Sequence, residues 1–436
     1  MAAARRERTK PVRVHLASLG CAKNLVDSER LLARLATAGA LVGAEAEEAD
    51  IILVNTCGFI DPARRESMSV IDEYAALKAE RPELKLFVLG CLVVRDGDAL
   101  RDRLPDVDGF FGIDAHEDIV RASGLADEDT GDTRLLLTPS HTAYLRVADG
   151  CDNRCSYCTI PSIRGNFRSR PAGDVVAEAR SLAELGVREL NLIGQDTTAY
   201  GVDRQGEPGI VGLLERLDEI EGVRWIRLLY AHPAHLRDDL VRAYTRLEKL
   251  VPYVDLPLQH LSDRILAAMG RRVGRAAIDR LLGTLRGQVP GLALRTTFIV
   301  GFPGETDVEF GQLLRGVEEI RFDHLGAFAY SPEPGTPAAE LPGRLPPDLV
   351  ADRLERLLAA QHAVVMEKNR SRVGETVDVL IDGADETPGI SIGRTATQAP
   401  DVDPVTLVRG RHKAGVFVRA RITGSSDLDL TATAVR

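Results

Sequence analysis

The segment Cys151-Asp-Asn-Arg-Cys155-Ser-Tyr-Cys158 places three thiols within eight residues, spaced C-x3-C-x2-C. A 4Fe-4S cube has four irons and ordinarily takes four thiolates, so a loop with three leaves one iron with an open position. Open coordination is what separates catalytic from structural metal centres. No fourth Cys follows nearby. A zinc ion borrowing a fourth ligand from His141 or His260 is the alternative, although zinc ligands usually come as paired C-x2-C elements. A four-ligand electron-transfer cluster is another. It needs one more Cys close in space, and the remaining three match one another.

Those three are Cys21, Cys57 and Cys91, in Ser18-Leu-Gly-Cys21, Asn55-Thr-Cys57 and Leu89-Gly-Cys91. Each follows an apolar run that reads as a strand: Val12 to Leu19, Asp50 to Thr56 and Leu84 to Leu89. Helical spacing over Leu25 to Ala38 and Pro62 to Lys78 lies between them. Alternating strands and helices predict a parallel sheet covered on both faces, whose ligands bind beyond the carboxyl ends of the strands. A single Cys at such a place is ordinarily a small buried hydrophobe. Three at equivalent strand ends, after a Gly or Thr that lets backbones approach, point to a second three-thiol site.

Six further strand candidates alternate with helices from Ala143 to Tyr330: Ala143 to Val147, Glu189 to Ile193, Trp225 to Tyr230, Val254 to Leu258, Leu294 to Val300 and Leu325 to Tyr330. Six βα units fall short of the eight of a closed TIM barrel, so a partial (β/α)6 TIM-type barrel is expected. Its thiol loop follows the first strand, where barrel enzymes place chemistry. A polar, acidic connector near Ala126 to Thr133 marks a boundary before it. Leu349 to Arg370 reads as a long amphipathic helix leaving it. Five short β runs then follow, Thr376 to Ile381, Ile390 to Thr395, Val405 to Val408, Val416 to Thr423 and Leu428 to Ala434, which fit a small OB-like β-barrel. The chain is thus read as α/β over residues 11–126, 137–370 and 371–436, in the order doubly wound parallel sheet, partial barrel, small β-barrel.

Composition is that of a soluble multidomain protein, 44% hydrophobic and 28% charged. No run approaches the roughly 18 apolar residues of a membrane span. The amino-terminal Met-Ala-Ala-Ala-Arg-Arg has no apolar stretch behind it, so no membrane partner and a cytoplasmic location are expected. Six cysteines in such a chain read as metal ligands rather than disulfides. A net charge of -10 opposes broad capture of nucleic acid.

Other motifs are weaker. Gly194-Gln195-Asp196 closes the second barrel strand and would offer polar groups to the amino group of a bound cofactor, or is simply a turn. Gly301 and Gly304, in Gly301-Phe-Pro-Gly304, would bring backbone close to a nucleoside, or serve turn geometry. His260 sits where a satisfied polar neighbour is the commoner role.

The C-x3-C-x2-C loop resembles that of the radical S-adenosylmethionine (SAM) superfamily, and nearly the whole chain resembles its methylthiotransferase family. That resemblance implies an amino-terminal three-Cys domain, a radical SAM partial barrel and a carboxyl-terminal TRAM domain. It assigns Cys21, Cys57 and Cys91 to one 4Fe-4S cluster and Cys151, Cys155 and Cys158 to the SAM cluster, with Tyr157 near the adenine and no catalytic residue beyond the cluster ligands. The implied chemistry reductively cleaves one SAM, abstracts hydrogen from carbon, and delivers a sulfur methylated by a second SAM, so that C–H becomes C–S–CH3. An external electron donor and sulfur source are implied partners.

One branch of the family modifies tRNA adenosine, and another an aspartate of small-subunit ribosomal protein twelve. Leu19-Gly-Cys-Ala-Lys-Asn-Leu-Val-Asp-Ser-Glu29, Asn55-Thr-Cys-Gly-Phe-Ile60, Cys158-Thr-Ile-Pro-Ser-Ile-Arg-Gly165 and Pro257-Leu-Gln-His-Leu-Ser-Asp-Arg-Ile-Leu266 resemble the second branch. The tRNA branch typically carries Gln-Ser-Gly-Ser where this chain has Gln259-His-Leu-Ser262. From Ser371 onward eight Lys/Arg face nine Asp/Glu, a poor balance for holding phosphates, so no direct tRNA contact is expected. Ala399-Pro-Asp-Val-Asp403 resembles an acidic segment of the ribosomal-protein branch and would face a basic partner, or solvent. The expected activity is therefore 3-methylthioaspartate formation on that ribosomal protein, free or in the assembled subunit. The alternatives are the same chemistry on tRNA adenosine, or an iron-sulfur binding or electron-transfer protein.

Overall fold

The computed structural model describes residues 10–127, 131 and 133–435. Most of the acidic stretch of the expected connector, and the residues before Lys10, lie outside that set. The chain forms two compact units. One runs to Leu137 and includes Thr159–Gly165; the other comprises Thr138–Cys158 and continues from Asn166.

In the first unit, β1 (Arg13–Ser18), β2 (Leu41–Val42), β3 (Ile51–Thr56), β4 (Lys85–Gly90) and β5 (Gly109–Phe111) form one parallel sheet in the order β2-β1-β3-β4-β5. Helices α1 (Ala22–Thr37), α2 (Asp61–Glu80), α3 (Cys91–Arg103), α4 (His116–Ala122) and the short α5 (Ile160–Arg164) complete it. Every residue of β3 is buried, because alternate side chains enter different cores. Ile52 and Val54 pack with Ile71, Leu86 and Val88, while Ile51 and Leu53 pack with Leu31, Leu35 and Ile119. This is the doubly wound sheet expected, and its strand order reverses between β1 and β3, the position that makes a ligand crevice. The edge strands β2 and β5, two and three residues long, are too short to show a period of two and were not legible.

The second unit contains β6 (Thr142–Arg146), the ribbon β7 (Ala148–Asp149) and β8 (Arg168–Ser169), then β9 (Glu189–Ile193), β10 (Trp225–Leu228), β11 (Leu250–Asp255), β12 (Ala293–Val300) and β13 (His324–Ala329). Strands β6, β9, β10, β11, β12 and β13 lie side by side, all parallel and in chain order, as an open sheet. Helices α6 (Ala172–Glu184), α7 (Ile210–Asp218), α8 (Asp238–Arg246), α9 (Asp263–Ala268), α10 (Arg275–Gln288), α11 (Asp307–Ile320) and α12 (Pro347–Ser371) alternate with or follow them. The fourth barrel strand is Leu250–Asp255 rather than Val254 to Leu258. Leu256 and Leu258 are apolar because they are buried, but this stretch leaves the ladder, with a lone bridge at Gln259 and a left-handed φ of 73° there. Strands β14 (Thr376–Ala384), β15 (Ile390–Thr395), β16 (Thr406–Arg409), β17 (Phe417–Ser426) and β18 (Asp429–Ala434) close a barrel around Val379, Ile381, Val408, Ala420 and Ala432.

That small barrel plugs the amino-terminal mouth of the open sheet, within the same unit. Glu189, the first residue of β9, accepts hydrogen bonds from Arg227 (2.9 Å) and from Arg394 of β15 (2.6 Å). The side chains are 0%, 0% and 3% exposed. Burial would raise the Glu189 carboxyl, but Arg394 and Arg227 hold it below its ordinary value. Arg394 also pairs with Asp382, which takes His141 at 2.9 Å. Ala399–Asp403 belongs to this plug. Tyr144 and Tyr253 donate to Asp401 and Asp403, each at 2.6 Å, and the Asp403 side chain is fully buried beside Arg295. The expectation that this run faces a basic partner or solvent therefore fails at Asp403: its charge is consumed by the barrel's own Tyr and Arg groups.

Two outcomes follow from these buried charges. Removing one partner leaves the others uncompensated, so Glu189→Ala should cost about 3–5 kcal/mol. Trp225, the single Trp of the chain, contacts Phe417 edge-on at 4.8 Å, so its fluorescence during urea unfolding reports the plugged interface directly. His260 is fully buried, its Nδ1 accepting from Ser262 N and its Nε2 3.8 Å from Glu305. Burial lowers its pKa from 6.5 to about 4. The unfolded chain thus takes up the proton first, and stability should decline as pH falls from about 6.5 towards about 4. Urea midpoints across that window should flatten in His260→Gln; an unchanged slope would exclude His260 as the source.

Candidate functional site

The cysteines of the first unit stand where β1, β3 and β4 end, beside the switch point. Backbone without a side chain is what lets these ends converge. A Cβ on Gly20 (φ 92°) would lie 2.8 Å from the Cys57 Cβ and 3.2 Å from its Sγ, and one on Gly58 would lie 2.7 Å from the Cys91 carbonyl oxygen. Cys21 precedes α1 and is exposed, whereas Cys57 and Cys91, the latter opening α3, are buried. Burial raises both buried thiols, Cys91 to about 11, with neighbouring thiols pushing the same way and Arg164 opposing. The close approaches of Gly20 to Cys57 and of Gly58 to Cys91 place the three strand ends in one locality.

Asn24 ties the loops together. Its Nδ2 donates to Leu19 O (3.1 Å) and Thr56 O (2.9 Å), while its Oδ1 accepts from Arg164 at 2.7 Å and lies 3.4 Å from the Cys91 Sγ. The quoted segment from Leu19 to Glu29 is therefore scaffold as well as the loop that carries Cys21: Ser28 holds Ser18 and Asn55, and Glu29 receives Arg134 and the Leu137 N–H.

In the second unit the loop carrying Cys151, Cys155 and Cys158 leaves the carboxyl side of β6 and β7. Ser156 anchors it, donating through N to Met269 O (2.9 Å) and through Oγ to Ala268 O (2.7 Å), and accepting from Ala338 N (2.9 Å). Gly270 holds a φ of 72° at this contact, a backbone conformation that side chains with a Cβ rarely adopt. Tyr157 packs among Ile265, Met269, Phe302 and Ala338, and burial raises its hydroxyl pKa well above the ordinary value. Arg271 places a guanidinium nitrogen 3.8 Å from the Cys155 Sγ while donating to Pro257 O.

Asp196 is the polar hub of this site. It is 1% exposed and accepts from Asn153 of the thiol loop (2.8 Å), His235 (2.6 Å), Thr198 (2.6 Å) and Ala199 N. Burial opposes its charge, yet His235, Thr198 and Asn153 hold its pKa below the usual value. His232, beside it, is lowered to about 3 by burial and Arg271 and stays neutral. Cys151, Asn153, Asp196, His235 and Arg272 line a cavity of ≈ 230 Å³. Gly194 keeps the strand end flat against Ala148 O (3.4 Å from a hypothetical Cβ), and Gln195 presents a buried Oε1 with no hydrogen-bond partner among the described residues. Gly301 and Gly304 are not in that cavity lining. Gly301 is pressed against Val350 of α12, and Gly304 N donates to Gly343 O. Asn153, His235, Arg271, Asn24 and Arg164 carry roles that sequence reasoning did not assign; Asn24, Asn153 and Arg164 lay inside motifs already quoted, whereas His235 and Arg271 were visible only through contacts.

The donor chemistry suits iron-sulfur clusters. None of the six cysteines is paired in a disulfide. Three thiolates on one zinc ion, with Zn–S bonds of about 2.3 Å, would bring their sulfurs well within 4.8 Å of one another. Among the described residues the group that meets that separation is Asp196, His232 and His235, in which Asp196 is paired with His235, and neither Cys triad does. His141 and His260, the imagined fourth zinc ligands, are engaged with Asp382 and Ser262.

Residues 13–112 match the model of Uncharacterized protein family UPF0004, residues 145–316 the Radical SAM superfamily, and residues 373–435 the TRAM domain. Among solved structures, the radical SAM methyltransferase TsrM from Kitasatospora setae, with a SAM analogue bound, aligns over 81% of this chain and 89% of its own with a TM-score of 0.56. At 13% identity that likeness speaks for fold alone. Ribosomal protein uS12 methylthiotransferase RimO of Anaeromyxobacter sp. (strain Fw109-5) is 45% identical over 97% of this chain and 93% of that protein. RimO of Geotalea uraniireducens (strain Rf4) is 45% identical over 96% of this chain and 97% of that protein. The chain therefore belongs to the RimO family of ribosomal protein uS12 methylthiotransferases.

Proposed function

We propose that this enzyme replaces a C–H bond of an aspartate in ribosomal protein uS12 by C–S–CH3, using SAM and two 4Fe-4S clusters. The observation that carries the reading is the presence of two three-thiol sites, each at the carboxyl edge of its own parallel sheet. Cys151, Cys155 and Cys158 would hold one cluster, and Cys21, Cys57 and Cys91 the other. When bound, the two clusters supply the electron that cleaves SAM and the iron site from which sulfur is delivered.

The protein's own groups bind and orient. Asp196, held ionised at the cavity wall, offers a carboxylate to a cationic amino group, while Gln195, next to it in the chain but outside the cavity lining, holds a buried Oε1 without a hydrogen-bond partner among the described residues. His235 and Arg272 offer complementary positive or donor groups for a carboxylate. Asn153 couples the thiol loop to Asp196, so ligand geometry and cofactor binding are set together. The apolar patch around Tyr157 keeps one side of the loop dry, which limits side reactions of a radical intermediate. The substrate form, electron donor and sulfur source belong to this reading as uS12, free or in the small subunit, an external reductant and an external sulfide.

The test is anaerobic reconstitution with SAM, dithionite, sulfide and uS12. The expected result is 5′-deoxyadenosine together with a gain of one methylthio group on uS12; methylthioadenosine in tRNA with no gain on uS12 would overturn it. Cys151→Ala should abolish 5′-deoxyadenosine formation. Cys57→Ala should retain SAM cleavage yet abolish methylthio transfer, a split that chromatography and protein mass measure separately. Asn153→Ala should reduce SAM cleavage about 10–100-fold, the usual cost of losing a group that orients metal ligands, with iron content read in parallel.

A further inference from the structure

Arg164 is 2% exposed in the first unit, although it follows Cys158 by six residues in the chain. Its Nη2 lies 2.7 Å from Asn24 Oδ1, 3.0 Å from Asp27 Oδ2 and 3.7 Å from the Cys91 Sγ. A buried ion pair is rarely retained for stability alone, since apolar groups of the same size serve as well or better. Guanidinium keeps its proton in any protein environment, so this is a permanent positive charge beside a thiol set. Asn24 Oδ1, 3.4 Å from the same sulfur, suits a thiol but repels a thiolate; Arg164 donates to that oxygen and faces the sulfur as well.

We propose that Arg164 is the electrostatic positioning residue of the Cys21–Cys57–Cys91 centre, raising the reduction potential of the cluster held there. The inference rests on the cluster reading above. Reduction adds negative charge to the cluster, and a fixed cation in contact with one ligand sulfur favours that state; hydrogen bonds to the sulfurs act in the same direction. Asp27 sets the size of the effect by partly neutralising the guanidinium.

The test uses the full chain with Cys151, Cys155 and Cys158 replaced by Ala, so that the first-unit centre is the one reconstituted and titrated by EPR-monitored potentiometry. Arg164→Met should shift the oxidised-to-reduced ratio at a given potential about tenfold towards oxidised, ~59 mV for a one-electron couple. Arg164→Lys, which keeps the charge, should restore most of that shift. Asp27→Asn should move the midpoint upward and decides the matter even where Arg164→Met fails to retain iron. Loaded variants whose midpoints do not move overturn the role of Arg164 while leaving the cluster reading intact. A parent protein that binds no iron overturns the cluster reading and the inference with it.

Discussion

Three thiolates gathered at one place repel one another, and the first unit is built around that cost. Burial raises Cys57 and Cys91, Cys21 pushes both the same way and Cys57 adds to Cys91, so the site must supply compensation that does not come from solvent. It does so through two helix amino termini at Cys21 and Cys91, whose dipoles favour negative charge, and through the single guanidinium of Arg164. Close approach is possible because Gly20, Gly58 and Gly90 leave no Cβ between the strand ends. Glycine, helix start and buried cation are thus one solution to one electrostatic problem.

The second unit solves a different problem. An open six-stranded sheet exposes the polar floor that a closed barrel would bury, and here the floor is charged: Glu189, Arg227, Asp255 and Arg295. The carboxyl-terminal barrel meets it with opposite charge in Arg394, Asp382 and Asp403. Charges sealed in this way must be matched group by group, which makes the contact rigid. The TRAM barrel is therefore structurally continuous with the open sheet through these buried ion pairs.

Much of this was legible before any coordinates. Strand ends bearing Cys21, Cys57 and Cys91 announce themselves because buried parallel strands are continuous apolar runs, and the short β runs after Val373 carry their own turn residues. What escaped did so for physical reasons. The edges β2 and β5 are too brief for periodicity. Leu256 and Leu258 imitate a strand because burial, rather than pairing, dictates their type. Asp403 looked like surface because acidic residues usually are, and its Tyr253 and Arg295 partners lie more than a hundred positions away in the chain. Asn153, His235 and Arg271 gain meaning from Asp196 and Cys155, which no spacing along the chain reveals.

The passage of Thr159–Gly165 into the first unit bears on how the protein is born. A fragment ending at the expected boundary near residue 126 would contain Cys21, Cys57 and Cys91 yet lack α5 and Arg164. During synthesis the same shortage holds until Gly165 has cleared the exit tunnel, by which time Cys151, Cys155 and Cys158 have emerged too. A first unit completed by α5 and Arg164 therefore exists only once Cys151, Cys155 and Cys158 have emerged as well.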